Sequence, residues 1–212
     1  MKVSWRTELP QWVLLAGMFL LAALSWPSAP ERIPVHWDVT GQVDRYGSKL
    51  EGLFLIPLTA LGIYLLLRFL PRIDPGWINY PLFSGPYATL RLAVVTLLAV
   101  LYGLTHLVLR GHPVDMATAV PLAVGGLLII VGNLMGKVRP NWFVGFRTPW
   151  TLSSKAAWVK THRLGGWLFI LLGLLLIVVG LLHAPWAPTA WFVLVLAGLA
   201  WMSIYSYLVW RR

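Results

Sequence analysis

Two stretches hold most of the side chains able to do chemistry. The first, PSAPERIPVHWDVTGQVDRYGSK over residues 27–49, brings together His36, Trp37, Asp38, Asp44 and Lys49. An imidazole among carboxylates can exchange protons or pair with a charged ligand. Pro30, Pro34 and Gly41 point to an extended segment with a turn, on which His36 and Asp38 project to one face. His36, Asp38 and Asp44 are too few donors for a metal unless other loops contribute, so no metal is expected. The structural alternative has Trp37 and Tyr46 anchoring the loop at lipid headgroups while the charges stay in water.

The second stretch, GNLMGKVRPNWFVGFRTPWTLSSKAAWVKTHRLGGW over residues 132–167, supplies Asn141, Arg147, Thr148, Trp158, His162 and Arg163. Its first part is punctuated by proline and glycine and carries Trp142, Phe143, Phe146 and Trp150, all suited to a membrane interface. From about Ser153, a suitable N-cap, a short helix is expected to run through Trp158 and His162. A helical wheel places Lys155, Lys160, His162 and Arg163 on one half and Ala157, Trp158, Thr161 and Leu164 on the other. Such a helix rests on anionic lipid headgroups or docks an acidic partner. Arg147 stands out, because a guanidinium in an aromatic, partly dry setting needs a carboxylate, phosphate or carbonyl partner.

Motifs for catalysis are missing. The sequence has no HExxH, no GxSxG and no glycine-rich phosphate loop, and its zero cysteines remove disulfides, thiolate metal sites and cysteine nucleophiles. No cofactor and no enzymatic activity are expected. The one enzymatic alternative is action on a lipid-linked phosphate by Arg147, His162 and Arg163 together.

The elements that must position these residues follow from composition. Hydrophobic residues make up 58% of the 212 and charged residues only 11%, a balance that cannot solvate a globular surface. The apolar residues fall into six runs, Leu9–Trp26, Gly52–Leu70, Ala88–Leu109, Met116–Met135, Gly165–His183 and Thr189–Trp210. Each is close to the ~20 residues that span a bilayer, and backbone hydrogen bonding in hydrocarbon makes them helices. The first run resembles a signal peptide, but Pro30 directly after Ala29 makes a poor cleavage site, so it is taken as a span. The expected fold is an all-α integral membrane protein, a six-transmembrane-helix bundle in one domain. An ordered extracytoplasmic loop follows span one, and an interfacial cytoplasmic helix lies between spans four and five. Residues 1–70 form an N-terminal module with outer loop 27–50, and residues 116–212 a second module with inner loop 136–164.

Charge sets the orientation. With both ends inside, the inner side holds Lys2, Arg6, Arg68, Arg72, Arg91, Lys137, Arg139, Arg147, Lys155, Lys160, Arg163, Arg211 and Arg212. Only Arg32, Arg45, Lys49 and Arg110 of the 17 basic residues lie outside. The net charge of +10 therefore reflects topology and anionic lipid, and nucleic acid is not an expected partner. Within the spans, Gly132-x-x-x-Gly136 and the seven-residue recurrence of Gly166, Gly173 and Gly180 suggest close helix packing. His106 and Asn133 are near enough to span ends to be satisfied at an interface, and no Asp or Glu is expected deep in any span.

The combination IPVHWD…G…D.YGSK followed by GN…RPN.F.GFRTPWTLSS..AW..THR.GG resembles the bacterial SdpI family over most of the chain. The resemblance places the first motif on Pro34, His36, Trp37, Gly41, Asp44 and Lys49, in an N-terminal module of unknown function. The second falls on Asn141, Gly145, Arg147, Thr148, Trp158, His162 and Arg163. It implies a protein of the bacterial cell membrane giving immunity to a secreted antimicrobial peptide, which meets the outer side, or signalling to a cytoplasmic regulator, or both. A small transporter or lipid-handling protein for an anionic substrate remains the alternative.

Overall fold

The computed structural model describes residues 5–212; Lys2 lies outside them. Seven helices and one β-hairpin follow in the order α1 (Trp5–Ser25), β1 (Arg32–Trp37), β2 (Val43–Ser48), α2 (Lys49–Ile73), α3 (Ser84–Leu109), α4 (Met116–Met135), α5 (Pro149–Ser153), α6 (Lys155–Leu182) and α7 (Ala187–Arg211). A short 3-10 helix, Trp77–Phe83, leads into α3. All but α5 of the seven helices are long and apolar enough to cross a membrane, matching the six expected spans.

Two groups of three helices make the bundle. In the first, Leu15, Met18 and Ala22 of α1, Leu53, Ala60 and Tyr64 of α2, and Val95 and Tyr102 of α3 form a buried apolar cluster. In the second, α4 and α6 are the closest pair, with α7 against α6. The close approach is made by Gly125 and Gly132 of α4 against Gly173 and Gly166 of α6. A Cβ on Gly132 would stand 2.6 Å from the carbonyl oxygen of Gly166, and one on Gly173 2.6 Å from that of Gly125. Gly180 continues the seam against Pro121. The expected recurrence of Gly166, Gly173 and Gly180 is therefore a packing seam. Its complement on α4 is also seven-spaced, and Gly136, placed in the seam by the GxxxG pattern, faces open space.

The helices alternate in direction, so two faces result. The hairpin face carries β1 and β2, an antiparallel pair with irregular register around His36. Ile33 anchors it against Gly52 at the start of α2, where a Cβ would come within 2.5 Å. At the tip, Gly41 has φ of +82° and lies so close to Ala117 of α4 that a Cβ would meet its backbone nitrogen at 2.8 Å. The hairpin thus reaches from α2 to α4 over one end of the bundle, two paired strands where the sequence suggests an extended segment with a turn.

The opposite, basic face holds the segment 136–154. Here the expected separate interfacial helix is corrected. Ser154, not Ser153, caps the helix by accepting from the Ala157 amide, and α6 then runs unbroken from Lys155 through the fifth span. The only independent helix in this connection is the five-residue α5. Continuing the helix satisfies every backbone group without a break at the membrane surface.

Candidate functional site

On the hairpin face, His36 Nδ1 lies 2.6 Å from Asp44 Oδ1, an exposed pair across the strands. Asp38 does not join them. Its Oδ1 accepts from the Thr40 hydroxyl (2.7 Å) and from the Thr40 and Gln42 amides (2.9 and 3.0 Å), and these bonds hold its carboxyl below the ordinary range. The expected shared face of His36 and Asp38 is thereby corrected: the aspartate is committed to the turn. Trp37 closes β1 opposite Val43, and Lys49, the first residue of α2, places its ammonium 5.2 Å from the Trp26 ring centroid. A second pair, unforeseen from the sequence, joins the ends of α4 and α6: His183 Nε2 lies 2.9 Å from Asp115 Oδ2. The Thr118 hydroxyl and then His183 lower the Asp115 carboxyl, and Asp115 in turn raises the His183 imidazole above its usual value. Among the described residues, no three of His, Cys, Asp and Glu gather as metal ligands do.

On the basic face the second stretch folds around buried side chains. Asn141, 2% exposed, accepts the Phe143 and Val144 amides on Oδ1 and donates through Nδ2 to the Arg139 and Val144 carbonyls. Both lone pairs and both N–H donors of that amide are thereby used, which makes it the organiser of the turn. Trp158 donates its indole N–H to the Val138 carbonyl (2.9 Å) and stacks on His162, centroids 3.9 Å apart. The Phe146 amide donates to His162 Nε2 at 3.0 Å, so the proton sits on Nδ1, which donates to the Trp158 carbonyl at 2.8 Å. Gly145, with φ of +112°, lets the chain pass against that ring, since a Cβ there would collide with Nε2. Thr148 caps α5 in a reciprocal capping box with Thr151 and touches the Ser206 hydroxyl of α7 at 3.0 Å.

This geometry changes the roles expected of His162 and Arg147. His162 is buried beside Trp158 and Thr161, not on the basic half of the wheel, because α6 packs against the loop that precedes it. Both its ring nitrogens are occupied, which leaves no atom for acid–base work with Arg147 and Arg163 on a phosphate. Arg147 is exposed, not partly dry, and donates from Nη1 to the Trp142 carbonyl at 2.8 Å, one of its three anticipated partner types. Arg163 is likewise exposed.

Two groups on the same face escaped the sequence reading. Asp74, 1% exposed at the end of α2, accepts from the Gly76 amide (2.6 Å), the Tyr80 hydroxyl (2.8 Å) and the Trp142 amide (3.2 Å), while Asn79 Nδ2 donates to the Pro140 carbonyl (2.8 Å). It ties the two basic-face connections into one cap. Glu8 of α1 is gripped by Arg91 of α3 in a bidentate pair at 2.9 and 2.8 Å. It also accepts from the Tyr64 hydroxyl at 2.8 Å, and Tyr64 in turn accepts from Trp12 Nε1 at 2.6 Å. Glu8 and Arg91 are 2% and 1% exposed, so a carboxylate does lie within the first helix and the guanidinium counted as a loop charge lies inside the bundle. His106 departs too: its ring packs at a tilt against Tyr102, and its Nε2 is buried without a partner, not satisfied at an interface.

Comparison with known proteins gives two family matches. Residues 137–208 match the SdpI/YfhL protein family, and residues 13–61 match a domain of unknown function, DUF1648. Immunity protein SdpI of Bacillus subtilis (strain 168) is 29% identical over 203 residues, covering 94% of each chain. No solved structure matches. Six apolar spans, the motif-bearing hairpin and cap, and similarity to that relative over almost its whole length mark this chain as a multi-pass protein of the bacterial cell membrane that is similar to the SdpI/YfhL family over residues 137–208.

Proposed function

We propose that the protein gives its cell immunity to a secreted antimicrobial peptide, with the hairpin face outside to meet the peptide and the basic face in the cytoplasm. The observation that carries this reading is the near full-length similarity to an immunity protein, with both motif-bearing segments included. The orientation rests on charge. The basic side has 13 lysines and arginines against Glu8 and Asp74, both buried, whereas the hairpin side has four against Glu31, Asp38, Asp44, Glu51 and Asp115. The exposed His36–Asp44 pair with Trp37 and Lys49 offers the peptide polar and aromatic contacts. On the inner face, exposed Arg147 and Arg163 stand on a framework fixed by Asn141, Thr148, Trp158 and His162, and this is the surface through which occupancy reaches a cytoplasmic regulator.

Survival of a susceptible bacterium under peptide challenge tests the immunity. Expression of the wild type should protect. Arg147→Ala and His36→Ala, matched for membrane abundance, should each lose protection, since both residues are exposed and neither substitution disturbs the core. Full protection by Arg147→Ala removes that residue from the function, and none from well-expressed wild type refutes immunity to the peptides tried. Because the chain has no cysteine, orientation is separately testable: Thr40→Cys should react with an impermeant maleimide on intact cells and Ser153→Cys only after permeabilisation. The reverse pattern would invert the topology.

A further inference from the structure

At the basic-face end of α1–α3, cations outnumber anions within the protein. Among the described residues two carboxylates lie there, Glu8 and Asp74, and the Glu8 oxygens are taken by two bonds from Arg91 and one from Tyr64. A second guanidinium, Arg68, stands with Nε 3.6 Å from Glu8 Oε2, within Coulombic range but beyond a hydrogen bond, and its side chain is 21% exposed. One turn on, Arg72 is exposed, and the two guanidinium groups flank Phe69 at 5.9 and 5.1 Å from its centroid. The other acid of this face, Asp74, is buried and already bonded by two amides and Tyr80. Arg91 Nε and Gln11 Oε1, in the same cluster, are buried without partners. A half-buried guanidinium with most of its five donors unused is costly unless an anion completes it.

We propose that Arg68 and Arg72 form a binding site for the phosphate of an anionic phospholipid in the leaflet at the basic face. Both arginines lie in the last two turns of a spanning helix that ends at Ile73, the depth at which headgroup phosphates lie. A guanidinium presents paired N–H donors matched to phosphate oxygens. Phe69 between them, 45% exposed, offers apolar surface to the start of the acyl chain. The Glu8 carboxylate, 3.6 Å from Arg68 Nε, keeps that guanidinium at the edge of the buried cluster. Basic pockets between spanning helices on the cytoplasmic side are the setting in which such headgroups are held. The site stands on the membrane location alone and is independent of the immunity reading.

Native mass spectrometry of the detergent-purified protein tests it, with phosphatidylglycerol and phosphatidylcholine of identical acyl chains supplied in competition. The wild type should retain the anionic lipid preferentially, each arginine contributing roughly five-fold. Arg68→Gln and Arg72→Gln should each lower the preference by that factor, and Arg211→Gln, on the same face but outside the site, should not. Arg72 is exposed outside the buried cluster, so its variant reports on binding even if Arg68→Gln folds poorly. Inorganic phosphate at the same concentration should not displace the lipid. Equal preference in both site variants and wild type overturns the proposal, as does displacement by inorganic phosphate, which would make the site one for free anions.

Discussion

Glu8→Gln should cost about 3–5 kcal/mol of stability, the range seen when one partner of a buried ion pair is removed. The carboxylate is 2% exposed and satisfies Arg91 of α3, Tyr64 of α2 and, through space, Arg68 of α2. Replacing it with a neutral amide leaves Arg91, 1% exposed, as an uncompensated charge in low dielectric. Unfolding of the purified protein in mixed micelles measures the loss. Glu8→Gln with Arg91→Gln should recover much of it, because both ends of the pair are then neutral. A single variant within about 1 kcal/mol of wild type would mean that the pair contributes far less than a buried one does.

The second large effect is expected at the α4–α6 seam. Gly132→Val puts a Cβ 2.6 Å from the Gly166 carbonyl oxygen and 2.9 Å from the Ile170 amide nitrogen, and neither backbone atom can swing aside as a side-chain tip can. The helices must separate, and the cost of such overpacking is of order 1–3 kcal/mol or more. Gly126→Ala on the same helix meets nothing within 4 Å and should instead stabilise by about 0.5–1 kcal/mol through reduced backbone freedom in the unfolded chain. Opposite signs in one unfolding assay would locate the seam; destabilisation of equal size at both positions would refute it.

The contrast between those two glycines marks how far sequence reasoning reaches. Gly166, Gly173 and Gly180 announce a seam by their spacing, since a period of seven returns to the same helix face. Nothing in one sequence names the opposing helix, and the GxxxG pattern selected Gly136 where Gly125 completes the α4 row. The motif residues behaved similarly. Trp158 and His162 stand out in the second motif, but periodicity cannot tell a buried imidazole with both nitrogens bonded from one on a basic surface. Glu8 was passed over because it precedes the apolar run, and Arg91 because a basic residue near a span end is ordinarily a loop charge. Only contact across 83 positions joins them.

The sequence by itself determined the solvent and the number of spans. Each follows from local quantities: runs of about 20 apolar residues force helices in hydrocarbon, and proline, glycine and acidic residues punctuate what lies between. Tertiary structure alone decided which charges are buried in pairs and which face the lipid headgroups. It also decided that Asp38 serves its own turn while His36 turns to Asp44, and that the cap is tied to the end of α2 by Asp74. Those outcomes depend on the directions of side chains brought together from distant segments, and a burial energy that depends on a partner cannot be read before the partner is in place.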